Sequence, residues 1–390
     1  MTSIRSENHR RIAILVDTST GWGRGVVRGV HQQVLHQYQW QLFLEPRGVG
    51  EVLRLPPSWS GDGVIARVGD EMMARHLIER QIPIVNVSAI QVPRADFPRV
   101  CTDLDASGRM AADYLLGRGF RHFAYLSLLG LEYVARHRDA YAHAIAKAGY
   151  ACSMHGVRVR DTTQATDWNL RIDELAEWLK TLPKPVAILT WSGGNEVIHA
   201  CHHANLSVPE EVAVLSGSDD DLLCELSDIP ISAVKQAAEQ IGRNAATQLE
   251  TMMTAPSSNH TVEKLIPPQE VITRQSTDTL AVRDASLGVA LTFIRENLDA
   301  PFQVDQVAAK AGLSRRVLER RFMDVLKRSP AEYIRRARLD RARLLLMKTD
   351  LSIAQVAESS GFGSPEYLAQ ILRQDTGLSP LRYRQKLRGD

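Results

Sequence analysis

Arg316, Glu319 and Arg320 recur at i, i+3 and i+4, the spacing that puts three side chains on one face of a helix. An arginine there presents a rigid fork that matches the O6 and N7 acceptors of guanine, and a glutamate accepts from the cytosine amino group. Lys327 extends the same face, while Leu318 and Phe322 define the opposite, apolar one. Arg315 and Arg321 flank the polar face at angles suited to phosphates. A second constellation lies about fifty residues on. Glu366, Ala369, Gln370 and Arg373 point away from the apolar pair Leu368 and Leu372. Glutamine pairs with adenine and an alanine methyl meets the thymine methyl, so this set also reads as base-directed chemistry.

Each constellation sits in the same frame. Val304–Phe322 reads VDQVAAKAGLSRRVLERRF and Ile353–Leu372 reads IAQVAESSGFGSPEYLAQIL. In each, an apolar-x-x-apolar-Ala helix ends at a glycine (Gly312, Gly361), and a serine (Ser314, Ser364) caps the next helix. Glycine tolerates the left-handed turn and serine satisfies the first free N–H groups. Two helix-turn-helix units follow, whose second helices suit a DNA major groove. Between them YIRRARLDRARLLLMKT reads as one long helix with the stripe Leu339, Ala342, Leu345 and Leu346, which would pack both units rigidly and present their recognition helices to successive grooves.

Charge supports that placement. From Asp284 onward there are 19 Lys and Arg against 13 Asp and Glu, a net of +6, and the remainder of the 390-residue chain carries −4. A basic module on an acidic body confines a nucleic-acid contact to one end. Residues 10 to 275 alternate short β-branched runs with helical patterns. Strands are expected at Ile12–Asp17, Gln41–Glu45, Gly63–Arg67, Ile82–Val87, His122–Leu128, Ser153–Val159, Val186–Thr190 and Val212–Ser216. Continuous apolar runs suit parallel strands buried on both faces, and the length accommodates two lobes with a ligand cleft between them. The expected domains are residues 1–275, a linker at 276–286 and an all-α module at 287–390.

Other chemistries have weaker footing. Gly21, Gly23 and Gly25 follow the first strand and open a helix, and Glu45 closes the second strand, which makes an NAD-binding enzyme the alternative reading; the third glycine of the dinucleotide pattern falls on Val26. His199 and His203 share a helix face without a third ligand. Cys101, Cys152, Cys201 and Cys224 have no metal or redox spacing and read as buried thiols. No metal, cofactor or catalytic residue is expected. The apolar run Ile12–Val16 is too short for a secretory signal, and no run approaches a membrane span, so the expected location is cytoplasmic.

The C-terminal module, over Leu287–Arg388, resembles the AraC/XylS family of transcription regulators through LSRRVLERRF, RLDRARLLL, SIAQVAESSGFGSPEYL and the terminal GLSPLRYR. That resemblance implies base contacts by Arg316, Glu319, Arg320, Glu366, Ala369 and Gln370, with double-stranded DNA and RNA polymerase as partners and a homodimer as the assembly. Leucines 368 and 372 stand where the family has aromatics. The body resembles the LacI/GalR effector domain, itself periplasmic-binding-protein-like, through RIAILVDTSTGWGRGVVRGV, TDLDASGRMAADYLLGRGFRHFAYL and VPEEVAVLSGSDDD. This implies a carbohydrate-like effector held by Trp22, Arg24, Asp103, Arg136, His137, Trp191 and Asp219. At two positions the pattern departs: the family arginine falls on His137 between Arg136 and Arg138, and Trp191-Ser192 replaces an Asn-Asp pair.

Overall fold

The computed structural model describes residues 9–45, 54–158, 166–255, 263–278, 285–300, 302–326 and 328–388. Two compact units emerge, one running to Thr277 and one comprising Asp278 onward with the short segment Pro209–Val212.

The body holds two six-stranded sheets. The first is built from β1 (Arg10–Leu15), β2 (Trp40–Leu44), β3 (Gly63–Ala66), β4 (Ile84–Asn86), β5 (Arg99–Thr102) and β11 (Glu263–Ile266), ordered β11-β5-β4-β3-β1-β2. The second is built from β6 (His122–Leu129), β7 (Cys152–Arg158), β8 (Val186–Thr190), β9 (Val212–Ser216), β10 (Ser232–Lys235) and β12 (Glu270–Ile272), ordered β12-β10-β9-β8-β6-β7. Pairings are parallel in the first sheet. In the second, β12 alone among the recorded pairs runs antiparallel, against β10. The burial of all four residues of β3 and all five of β8 and β9 explains their unbroken apolar sequence, since helices cover both faces.

The helices of the body are α1 (Gly21–Gln37), α2 (Glu71–Ile78), α3 (Leu104–Gly117), α4 (Glu132–Lys147), α5 (Thr166–Thr181), α6 (Gly194–His203), α7 (Asp221–Leu226) and α8 (Ala238–Thr254). Helix α1 lies on α8 so closely that a side chain at Gly29 would meet the Glu239 carbonyl and one at Gly242 the Val26 carbonyl. The chain crosses between the lobes after β5, after β10 and after β11. These crossings are tied together by Asp103 N–H to Ile266 O (2.9 Å) and Gln269 N–H to Lys235 O (2.9 Å). The three short strands Ser232–Lys235, Glu263–Ile266 and Glu270–Ile272 that complete the two lobes lack a sequence signal of their own, as does Arg99–Thr102.

Gln275–Thr277 form a short 3-10 turn, so the first two residues of the expected linker belong to the body. Ser276 and Thr277 are fully buried there, with the Ser276 hydroxyl on the Val214 carbonyl and Thr277 beside Ser232 and Tyr114. The stretch 279–284 lies outside the described residues.

The second unit consists of α9 (Ala285–Glu296), α10 (Val304–Lys310), α11 (Arg315–Arg321), α12 (Pro330–Lys348), α13 (Ile353–Ser359), α14 (Pro365–Thr376) and α15 (Pro380–Arg388). A π-helical segment, Phe322–Leu326, extends α11. Two separate cores form. Leu287, Leu291, Ile294, Val307, Leu318, Phe322 and Ile334 make one, and Leu339, Ala342, Leu346, Val356, Phe362, Leu368 and Leu372 the other. Helix α12 thus contributes its first half to one core and its second half to the other.

Candidate nucleic-acid interface and effector cleft

Both helix-turn-helix turns have the geometry their sequences require. Gly312 and Gly361 adopt φ of +67° and +71°, a region that disfavours any side chain. Ser314 accepts from Val317 N–H and Ser364 from Tyr367 N–H, and Pro365 occupies the first turn of α14, where no N–H is needed. Behind the recognition faces, Leu318 and Phe322 in the first unit and Leu368 and Leu372 in the second are fully buried. Leucine therefore serves the core of the second unit in place of aromatics.

The exposed faces differ. On α11, Arg316 and Arg320 are exposed and have no carboxylate partner among the described residues. Arg315 is engaged: its Nε reaches Glu319 Oε1 at 2.9 Å and its Nη1 reaches Asp305 Oδ2 at 3.1 Å. That pairing straps α11 to α10 and occupies Glu319. Arg321 is half-buried, and Lys327 lies outside the described residues. On α14, Gln370 and Arg373 are exposed and Ala369 is half-buried. The Glu366 carboxyl is held below its usual range by its own backbone N–H and by the Ser364 hydroxyl, so it folds back onto the helix start.

In the body, the expected effector residues separate into two groups at the strand ends. Trp22 packs against the core of the first lobe. Arg24 donates to the carbonyls of Thr18 (3.2 Å) and Ser19 (2.8 Å) and approaches Asp220 at 3.5 Å. With Asp219 they line a cavity of about 480 Å³ that also takes in Gln236 and Arg274. The acid expected at Asp219 is paired with Arg274 at 3.0 Å, both side chains only 10% exposed. Its neighbour Asp220 is the one that reaches the other lobe, accepting from Gly21 N–H at 2.6 Å.

The second group is aromatic. His137 is fully buried, its ring 4.9 Å from Trp191, and Trp191 is edge-on to Tyr133 at 5.6 Å. Arg67, which follows β3 in the other lobe, lies 5.7 Å from the centre of the Tyr133 ring. Burial pushes the His137 imidazole down to about 3, so it is neutral at ordinary pH. Two expected residues stand apart from both groups. The Asp103 carboxylate caps α3 through Ala106 N–H at 2.8 Å, and Arg136 is paired with Asp105 at 2.9 Å.

Arg67, Tyr133, Asp220, Gln236 and Arg274 were not singled out from the sequence. Gln236 and Arg274 follow strands too short to recognise, whereas Arg67 ends an expected strand and was legible as a residue at the ligand end of a parallel sheet.

The glycine-rich turn behind the enzyme alternative has a packing role. A Cβ at Gly23 would overlap the Asp17 carbonyl and one at Gly25 would press on Ala238. The start of α1, where a pyrophosphate would sit, is taken by the Asp220 carboxylate. Among the described residues, no cluster of three or more metal-ligating side chains exists, and no helix is long and apolar enough to cross a membrane.

Three family models match successive stretches: an XylR N-terminal domain over residues 11–104, a periplasmic binding protein-like domain over 112–277 and a helix-turn-helix domain over 307–386. The xylose operon regulatory protein of Escherichia coli (strain K12) is 29% identical over 96% of each chain. The protein of the same name from Haemophilus influenzae is 29% identical over 97% of this chain and 99% of its own. A solved structure of a xylose-binding transcription activator, XylR, superposes with a TM-score of 0.75 at 28% identity, covering 97% of this chain and 98% of that one. The chain is an AraC-type transcription regulator with a LacI-like effector domain. It is a DNA-binding regulator and not an enzyme, and the dinucleotide alternative finds no support in these likenesses. In this regulator the helix-turn-helix units follow the effector domain in the chain.

Proposed function

We propose that this regulator activates carbohydrate-utilisation genes when a small carbohydrate-like effector settles between the lobes of its body. The reading rests on one observation above the others. Arg316 and Arg320 stand exposed and unpaired, among the described residues, on a helix whose opposite face is fully buried. Arginines held at the surface without carboxylates are available to guanine and phosphate. The names of the relatives, xylose operon regulators, support a sugar as effector class.

In the proposed mechanism, Arg316 and Arg320 read bases, Gln370 and Ala369 read a second groove, and Arg315, Arg321, Lys327 and Arg373 serve the backbone. Glu319 and Glu366 contribute base readout only on releasing Arg315 and the helix start respectively. The effector binds between the lobes near Trp22, Arg24, Trp191 and His137. It shifts the population toward the state that favours DNA only to the extent that it binds that state more tightly. A homodimer working with RNA polymerase, in the cytoplasm where the chromosome lies, completes the proposal.

Selection of binding sites from a random duplex library, with and without D-xylose, tests this reading. The expected result is one enriched sequence with two half-sites on one face, about 34 Å apart, and an affinity that changes with the sugar. Enrichment of no sequence over random DNA would sink it.

A further inference from the structure

The second unit begins at Asp278, and the residue before it, Thr277, is fully buried in the body. Little slack separates that joint from the cavity of the body. Arg274, four residues upstream, lines the cavity and pairs with Asp219. One atom holds both ends of the turn that follows. Ser232 Oγ accepts from Arg274 N–H at 2.8 Å and from the Thr277 hydroxyl at 2.6 Å, and donates to the Arg274 carbonyl at 2.9 Å. Ser276 Oγ adds a bond to the Val214 carbonyl. Residues 274–277 are therefore tied into one piece.

Beyond the joint, charges alternate in series. The Asp278 carboxylate, 16% exposed, lies 3.2 Å from Arg336 Nε and accepts from Arg328 Nη1 at 3.4 Å. Arg336 is on α12, one turn before Asp340. Burial pushes the Asp340 carboxyl up, and Arg343, 3.4 Å away, and Arg336 draw it back. Arg343 is in turn paired with Asp375 on α14. The series Asp278–Arg336–Asp340–Arg343–Asp375 thus runs from the first residue of the second unit to its second recognition helix. Isolated exposed ion pairs contribute little, but these are partly shielded and share partners. Arg336 has an acid on either side. With Asp278 in place it is shared, and with Asp278 withdrawn Asp340 keeps it alone. The series so has two arrangements, which is what coupling between distant sites requires.

Resting on the sugar-effector reading above, we infer that the Asp278 carboxylate, through Arg328 and Arg336, transmits effector occupancy to the DNA-reading helices. An effector that fills the cavity shifts the Asp219–Arg274 pair on its wall and with it the tied piece 274–277. Asp278 then moves against its two arginines, and the series re-pairs along α12 as far as α14. Asp278 is a positioning residue that acts through Arg336.

The test measures the affinity of the full chain for its selected duplex with and without saturating D-xylose, D-ribose, D-glucose or D-galactose. The sugar that changes the wild-type affinity most is carried forward, and the ratio of the two dissociation constants is the readout. In Asp278→Asn this ratio should move toward one by roughly threefold to tenfold, while calorimetry finds sugar affinity in the absence of DNA within about twofold of wild type. Asp278→Glu, which keeps the charge, should recover part of the ratio. Arg336→Gln and Arg328→Gln should each have a smaller effect, and the pair together should match Asp278→Asn. Adding Asp278→Asn to that pair should change nothing further. By reciprocity, the effect of DNA on sugar affinity should shrink by the same factor.

A joint with a merely structural role would lower stability or DNA affinity with and without sugar alike and leave the ratio alone. The proposal fails if the wild type responds to a sugar and folded Asp278→Asn keeps the wild-type ratio. It fails equally if the double arginine variant, changed only at partly exposed side chains, keeps that ratio, so the test does not depend on the Asp278 variant folding. In both cases a carbohydrate effector still stands. No change in wild-type DNA affinity with any of the four sugars overturns the sugar-effector reading together with this proposal.

Discussion

Helices α11 and α14 occupy equivalent places in two copies of one frame, yet they offer different chemistry to DNA. Each follows a glycine in the left-handed region, begins at a serine cap and buries a pair of large side chains. Outside that shared frame, α11 presents two unpaired arginines among the described residues. The exposed face of α14 has Gln370 and a single cation, Arg373, while its acid Glu366 is folded onto the helix start. The frame fixes where a recognition helix sits, and the exposed face fixes how much it binds. Under the proposed readout, α11 is expected to be the larger contributor to affinity.

The most severe test attacks the shared frame. Leu368→Ala and Leu318→Ala should each lower stability by about 2–5 kcal/mol, because both side chains are fully buried. Chemical denaturation checks this, and a loss confined to one of the two would break the equivalence of the frames. Next in size, Arg320→Ala should weaken binding to the selected site by about 1–3 kcal/mol and relax one base pair, with a smaller effect for Gln370→Ala. Equal loss on selected and random DNA would make Arg320 a phosphate contact, and a larger loss at Gln370 would reverse the ranking of the helices. Removing a cap, Ser314→Ala or Ser364→Ala, should lower stability by about 1 kcal/mol in either unit. Thermal unfolding is the check, and a neutral result at one site would show that its turn does not depend on the serine. The smallest effect is expected for Arg373→Ala, a uniform weakening across sequences with a salt slope shallower by about 1; an unchanged slope removes Arg373 from the backbone contacts.

The same contrast explains what was legible in the chain. In the two helix-turn-helix frames the helices start at the expected Val304 and Ile353 and directly after the expected caps Ser314 and Ser364, because glycine and serine each mark an end by a local physical requirement. The long apolar strands of the body were equally plain. The missed strands Arg99–Thr102, Ser232–Lys235, Glu263–Ile266 and Glu270–Ile272 are three or four residues long, mix charge with apolar positions and exist through neighbours distant in sequence. Gln236 and Arg274 come just after two of those strands, so the cleft was less readable than the recognition helices. Asp219 shows a further limit. Its position at a strand end was visible, but its pairing with Arg274, 55 residues away, depends on the completed sheet.

Helix α12 sets a phase between the two units. Ile334 belongs to one core and Leu339, Ala342 and Leu346 to the other, on a single uninterrupted run of helix from Pro330 to Lys348. One residue inserted between Ile334 and Leu339 would turn the second recognition helix by about 100° relative to the first and push it about 1.5 Å along the axis. If each unit reads one half-site as proposed, the distance between the half-sites is written into a residue count. On that proposal, an operator can change its bases and be followed by changes on α11 or α14, but one that changes its spacing leaves this protein behind unless α12 is rebuilt with it.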